Sequence, residues 1–113
     1  MNTIANECMS EKLDDYMLVR VSGEVDLSWS QQVRRAILDA LGVSSKVGVE
    51  LSQVSYIDSS GIAALVEGLQ NARSKGQQFG LVGVSKAVMA VLQLARLDRV
   101  FPIFPDLDAA RAG

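Results

Sequence analysis

Segments with strand periodicity alternate with segments of helical periodicity along most of this 113-residue chain. An apolar run from Val47 to Leu51 is typical of a buried strand, and a helical apolar pattern from Ile62 to Ala72 follows it. Strands that alternate with helices form parallel βαβ units. The sequence therefore predicts an α/β fold, with a mostly parallel sheet of four or five strands and about four helices packed mainly on one face.

The same periodicities place the individual elements. Gly23 is expected to end the second strand, and Ser28 is expected to cap the first helix, with Gln31 completing a capping box. No repeat, linker or low-complexity tract interrupts the sequence, so residues 1–113 are predicted to form a single domain. The predicted strands are 4–9, 16–22, 46–51, 78–82 and 99–104, and the predicted helices are 28–41, 60–75, 85–95 and 106–112.

The composition argues against several classes of function. The chain has no histidine, which removes histidine-based acid–base catalysis and the usual zinc ligand sets. Its formal net charge is −2 and no basic stripe appears, so direct binding to nucleic acid is not expected. The sequence also has neither a Gly-Lys-Ser/Thr phosphate-binding motif nor a calcium-type loop. It therefore predicts a protein that is not an enzyme and that holds no cofactor or metal.

Cysteine usage and apolar run lengths indicate the compartment. Cys8 is the only cysteine, so it cannot form an internal disulfide, and a reducing cytoplasm fits this. No signal-peptide pattern is visible at the N-terminus, and the longest apolar stretches are far too short to span a bilayer. We therefore expect a cytoplasmic protein without membrane insertion.

The segment Asp58-Ser59-Ser60-Gly61 lies where a predicted strand gives way to a predicted helix. The first backbone N–H groups of a helix have no partner within it, and with the helix dipole they favour an anion. A kinase that phosphorylates a serine there would create such an anion. The alternative is simpler, because Asp58 or Ser59 at this position is also a typical N-cap. The spacing alone leaves both interpretations open.

A series of motifs in the chain resembles the STAS domain family, especially the bacterial anti-sigma-factor antagonists. The resemblance runs from about residue 16 to about residue 110, with the motifs in the family's order, and residues 1–15 match only loosely. The motifs are Gly23-Glu24-Val25-Asp26, Val54 to Gly61, Val84-Ser85-Lys86-Ala87-Val88, and Leu94 to Phe101.

The resemblance implies a role for each residue of the serine motif and for one acid upstream. In the family, the serine directly after the aspartate is the phospho-acceptor, which by position is Ser59. Asp26 matches an acid that contacts the partner kinase, although an Asx-turn residue is the ordinary interpretation of an aspartate there. Asp58, Ser60 and Gly61 would complete the partner-binding surface. The implied partners are an anti-sigma factor that is also an ATP-dependent serine kinase, and a serine phosphatase.

A second function is also implied by the resemblance. STAS domains serve as small subunits of ABC-type phospholipid-trafficking systems, where they pack on the transporter permease and ATPase without being phosphorylated. A phosphorylatable serine at Ser59 favours the anti-sigma-factor antagonist over this non-catalytic scaffold. The sequence identifies neither the sigma factor nor the kinase.

Overall fold

The structure is a computed structural model that describes residues 5–112. Within these residues five strands form one sheet in the order β1-β2-β3-β4-β5, with β1 antiparallel to β2 and all other neighbours parallel. The predicted α/β fold is therefore confirmed. The elements are β1 (Glu7–Leu13), β2 (Tyr16–Val25), α1 (Ser30–Val43), β3 (Lys46–Ile57), α2 (Ser59–Ser74), β4 (Gln78–Val82), α3 (Lys86–Leu94), β5 (Ile103–Phe104) and α4 (Leu107–Ala112).

The two faces of the sheet are covered to different extents. The first three helices pack on one face, where Ile37, Val49 and Leu65 belong to the larger apolar core. On the opposite face the short helix α4 helps to enclose a smaller cluster that includes Tyr16 and Ala110. The predicted packing of the helices mainly on one face is thus confirmed. In the described part of the chain, none of the helices combines the length and apolar character needed to cross a membrane.

The first strand lies further along the chain than predicted. It begins at Glu7 and ends at Leu13, so the predicted bounds of 4–9 are wrong, and Ile4 lies outside the described residues. Pairing with β2 extends to Leu13 opposite Tyr16, across a tight turn in which Asp14 has a φ of 58°. The hairpin turn therefore determines the end of β1.

Gly23 does not end the second strand, contrary to the prediction, since β2 continues to Val25. Gly23 has a φ of +90°, and the pairing of β2 with β3 shifts its register on both sides of this residue. A Cβ atom at this position would lie 2.1 Å from the Asn6 side-chain oxygen. Glycine lets the strand bulge and continue where any other residue would be strained.

The third strand is also longer than predicted, because it runs to Ile57 instead of ending at Leu51. Its last residue, Ile57, pairs with Val25, the last residue of β2. The two strands therefore end side by side, and the segments that follow them leave the sheet at the same point.

The predicted capping box at the start of α1 is wrong. The N-cap is Trp29, which makes no side-chain capping bond, and the helix begins at Ser30. The Ser28 hydroxyl instead donates to Asp26 Oδ1 at 2.6 Å. An aspartate two residues before a serine offers a local acceptor that competes with the helix terminus.

Two predictions near the C-terminus also need correction. The strand predicted at 99–104 contains only Ile103 and Phe104. Val100 and Phe101 donate their N–H groups to the Leu97 carbonyl in a turn, and Pro102 has no N–H to contribute to a ladder. The helix predicted at 85–95 ends one residue earlier, at Leu94, and Ala95 is its exposed C-cap.

Candidate functional site

The candidate site lies at the carboxyl ends of β2 and β3. The Asp58 backbone N–H donates to the Val25 carbonyl at 3.2 Å, which joins the two strand ends. Asp26 directly follows β2, and Ser59 begins α2. The structure therefore brings together the two loops that the sequence assigned to one surface, as expected at the carboxyl edge of parallel strands.

Asp58 is the N-cap of α2. One carboxylate oxygen, Oδ1, accepts hydrogen bonds from the Ser60 backbone N–H at 2.9 Å, the Gly61 N–H at 3.2 Å and the Ser60 hydroxyl at 2.6 Å. The Ser60 hydroxyl is the largest cause of a lowered pKa for this carboxyl group, and the backbone donors, including that of Leu27, lower the pKa further. These bonds favour the ionised form. The sequence left open whether Asp58 or Ser59 is an N-cap, and the structure shows that Asp58 is the N-cap.

The two adjacent serines are in different environments. Ser60 is half-buried and its hydroxyl is bonded to Asp58. Ser59 is exposed at the first position of the helix, and within residues 5–112 its hydroxyl has no hydrogen-bond partner. Of the pair, Ser59 therefore has the hydroxyl that an incoming reagent can reach without breaking an existing bond.

Asp26 holds the turn before α1. Its Oδ1 accepts from the Ser28 backbone N–H at 3.0 Å, which is the Asx-turn that the sequence left open. Its carbonyl accepts from the Trp29 and Ser30 N–H groups at 3.0 and 2.8 Å and so holds the start of α1. Among the described residues, no lysine or arginine forms an ion pair with Asp26 or Asp58. Both carboxylates therefore remain available to a cation on a partner.

Gly61 lies beneath this surface. It is buried, and a Cβ atom on it would lie 2.6 Å from Ile57 Cγ1 and 2.8 Å from Val25 Cγ1. The close approach that favours glycine here is made by core side chains at the strand ends. A direct contact between Gly61 and a partner stays a prediction, whereas its packing role is visible in the structure.

Two apolar residues beside the site were missed in the sequence. Leu27 follows Asp26 and is 73% exposed, and Tyr56 lies two residues before Asp58 in β3 and is 50% exposed. Each is therefore an apolar side chain that a protein bound at Asp26 or at Asp58 could cover. The exposure of Leu27 could have been predicted, because this leucine lies in a loop between Asp26 and Ser28 and belongs to no apolar face of a predicted helix or strand. That of Tyr56 could not, since the extension of β3 that exposes it was unforeseen.

Comparison with known proteins identifies the family. The sequence matches the family model of the STAS domain over residues 7–110. The chain belongs to the STAS domain family. This STAS domain is 25% identical over 97 residues to the anti-sigma-B factor antagonist of Listeria monocytogenes, with 84% of each chain covered. It is 26% identical over 90 residues to the anti-sigma F factor antagonist of Paenibacillus polymyxa, covering 78% of this chain and 77% of that one.

A solved structure gives the same result at the level of the fold. The STAS domain is similar to the crystal structure of an anti-sigma factor antagonist from Mycobacterium paratuberculosis, with a TM-score of 0.84 and 28% identity. The likeness covers 97% of this chain and 92% of that chain. The named relatives of this STAS domain are therefore anti-sigma factor antagonists.

The geometry of the site limits its chemistry. The Asp58 carboxylate is already bonded through Oδ1 to Ser60 and to the backbone of α2, so it is poorly placed to deprotonate Ser59. The described residues therefore give Ser59 no carboxylate that would activate its hydroxyl as a nucleophile. Within residues 5–112, no three cysteine, aspartate or glutamate side chains gather where they could hold a metal ion.

Proposed function

We propose that this STAS domain is an anti-sigma factor antagonist whose binding to an anti-sigma factor is controlled by phosphorylation of Ser59. The partner would be an anti-sigma factor with ATP-dependent serine kinase activity, and a serine phosphatase would reverse the modification. The STAS domain would be the substrate of both enzymes in the cytoplasm and would catalyse no reaction itself. In its unphosphorylated form it would sequester the anti-sigma factor and so free a sigma factor.

The observation that supports this proposal is the contrast between the two serine hydroxyls. Ser59 is exposed and unbonded among the described residues, whereas the Ser60 hydroxyl is held at 2.6 Å by Asp58. A kinase must place the acceptor hydroxyl in line with the γ-phosphate of ATP, beside its own catalytic base. Ser59 can be presented in this way without loss of the N-cap of α2, while Ser60 cannot.

The surroundings of Ser59 explain how one phosphate would prevent binding. Leu27 and Tyr56 offer exposed apolar area, and Asp26 and Asp58 offer carboxylates without an intrachain cation among the described residues. A partner shaped for this surface would desolvate the neutral Ser59 hydroxyl. A phosphate there adds nearly two negative charges next to Asp58, and burying it without a new cation is costly. The free protein tolerates the modification because Ser59 remains in solvent.

Mapping the phosphorylation site tests the proposal directly. The purified protein is incubated with ATP and the kinase captured from its native cell, and the modified residue is located by mass spectrometry. Wild type and Ser60→Ala should gain one phosphate on Ser59, and Ser59→Ala should gain none. Labelling that persists in Ser59→Ala, or that is confined to Ser60, contradicts the assignment.

The identity of the captured partner separates the two functions that the family resemblance implies. A pull-down from the native cell with wild-type protein should recover an anti-sigma factor with a kinase domain, and Ser59→Asp should recover much less of it. Recovery of a transporter permease and ATPase, in equal amounts with both proteins, would instead support the phospholipid-trafficking subunit.

A further inference from the structure

Among residues 5–112, the strand β1 lies at the edge of the sheet and pairs with a neighbour on one side only. It pairs with β2 on one side through all seven of its residues, and its side chains are mostly exposed. An edge of this length offers a row of free backbone N–H and C=O groups, and natural proteins usually protect such edges with charges, prolines or bulges. β1 has no proline and no register shift, but it has three charged residues, Glu7, Glu11 and Lys12.

The positions of these charges favour one self-pairing. When β1 of one copy pairs in antiparallel fashion with β1 of a second copy, a two-fold axis perpendicular to the sheet relates the two copies. Directly opposed side chains must point to the same face, so the axis passes through a residue position. With the axis at Ser10, all seven residues of β1 pair with the second copy. Glu7 then faces Leu13, Met9 faces Glu11, and Cys8 faces Lys12, so no two like charges are directly opposed.

The other registers are less favourable. An axis at Met9 opposes Glu7 to Glu11, and an axis at Glu11 or at Lys12 opposes that residue to its own copy. Like charges directly opposite each other destabilise a strand pair. An axis at Cys8 avoids this repulsion but uses only residues 7–9 of β1. The charges that would normally block an edge therefore exclude the shifted registers and leave the longest pairing open.

Met9 gives a second reason to expect pairing at this edge. Its side chain is 63% exposed, so it has apolar area that a second copy could cover. With the axis at Ser10, the two Met9 side chains are diagonal neighbours on one face, about 7–8 Å apart, within reach of each other. Glu11, which faces Met9 of the other copy, is already neutralised by Arg20 at 3.0 Å within its own chain.

We propose that a second copy of this chain pairs with β1 in antiparallel fashion about Ser10, which joins the two sheets into one. The paired area is small, so the dimer should be weak and dependent on concentration. Because β2 of one copy runs antiparallel to β2 of the other, the two Ser59 sites lie at opposite ends of the dimer. Self-association therefore leaves both phosphorylation sites free, and this proposal does not depend on the proposed function.

A charge-complementation experiment tests the register. Ser10 is exposed, so Ser10→Lys and Ser10→Glu should each leave the fold intact while placing two like charges opposite each other on the axis. In sedimentation equilibrium, wild type should approach twice the monomer mass as its concentration rises toward about 1 mM. Each variant alone should remain monomeric, and an equimolar mixture of the two should dimerise again. Thermal melts confirm that the variants are folded.

Matched controls make the outcome decisive. Ser74→Lys and Ser74→Glu introduce the same charges at the exposed last residue of α2, which takes no part in the proposed pairing, and should dimerise like wild type. A wild type that stays monomeric at about 1 mM overturns the proposal. Dimers that persist in both Ser10 variants, or a mixture that fails to dimerise, show that copies meet through another surface. Kinase binding measured on the Ser10 variants should equal that of wild type, which keeps this test separate from that of Ser59.

Discussion

The Ser60 hydroxyl donates a hydrogen bond of 2.6 Å to Asp58 Oδ1, in the same cap that holds the first N–H groups of α2. This one contact makes two adjacent serines chemically different. Ser60 is fixed as part of the N-cap, and Ser59 is left exposed beside a carboxylate of lowered pKa.

Ser59→Asp should leave the protein folded but weaken kinase binding at least tenfold, which corresponds to about 1.4 kcal/mol. The aspartate adds one negative charge at an exposed helix N-terminus, where the helix dipole favours it. The same charge would face a partner shaped for a neutral hydroxyl. Isothermal titration calorimetry measures the affinity, and a thermal melt checks the fold.

Ser59→Asn is the control for this variant, because it has nearly the same shape as aspartate without the charge. It should retain most of the affinity. Equal affinities for wild type and Ser59→Asp would reject a switch based on charge, and equal losses in both variants would show that shape alone is responsible.

Asp26→Asn should weaken kinase binding while changing the free energy of unfolding by no more than about 0.5 kcal/mol. Asparagine keeps the side-chain oxygen that accepts from Ser28, so the turn before α1 should survive and only the charge is lost. Asp26→Ala removes the turn as well, and its melting temperature should be lower than that of Asp26→Asn. If Asp26→Asn binds like wild type while Asp26→Ala does not, Asp26 acts by holding the loop and not by its charge.

The periodicity of the sequence was sufficient to predict the α/β architecture. Segments whose apolar residues have strand spacing alternate along the chain with segments whose apolar residues have helical spacing. This periodicity predicted β4 with its exact bounds, 78–82, since the turn at Gly76 and the loop from Gly83 isolate this strand on both sides. It failed where tertiary contacts override local signals. Gly23 is a common strand terminator, yet Asn6 packs against it and the strand continues as a bulge.

The polar residues of the candidate site were predictable, but its geometry and the exposure of Tyr56 were not. The motif pointed to Asp58, Ser59 and Ser60, and strand order placed Asp26 near them. The sequence could not show that Ser60, and not Ser59, is bonded to the cap, because this depends on the direction in which each side chain leaves the first turn of α2. The exposure of Tyr56 depends in turn on the unforeseen length of β3.

Acid should weaken the fold through Asp58. Its pKa in the folded protein is lowered from the ordinary value of 3.8, so its ionised form contributes stability at neutral pH. That contribution is fully present above pH 3.8 and is lost as the pH falls through the folded-state pKa. Asp58→Asn remains an N-cap but cannot titrate. Unfolding by urea at a series of pH values should therefore show wild type losing stability relative to Asp58→Asn below about pH 4.

The difference in stability between wild type and Asp58→Asn separates the effect of Asp58 from that of the other acids. Asp15 and Glu67 also have lowered pKa values, through Lys46 and Arg34, but they titrate alike in both proteins and cancel. In Ser60→Ala the Asp58 pKa should move back toward 3.8, because the Ser60 hydroxyl is the largest cause of its shift. A stability difference that is constant from neutral pH to about pH 2 would mean that Asp58 ionises equally in the folded and unfolded chains.

Gly61→Ala should destabilise the protein by about 1–3 kcal/mol, because the new methyl group meets Ile57 Cγ1 at 2.6 Å and Val25 Cγ1 at 2.8 Å. Gly42→Ala is the matched control, since this glycine also lies in a helix but a Cβ atom there meets nothing within 4 Å. It should stabilise the protein by about 0.4–1 kcal/mol, by reducing the freedom of the unfolded chain. Urea unfolding measures both values.

The strand ends pack against the first turn of α2, so Gly61→Ala should also shift the loops of Asp26 and Ser59 and weaken kinase binding. A Gly61→Ala protein as stable as Gly42→Ala would show that the strand ends and α2 can separate without cost, and that the site does not depend on this contact.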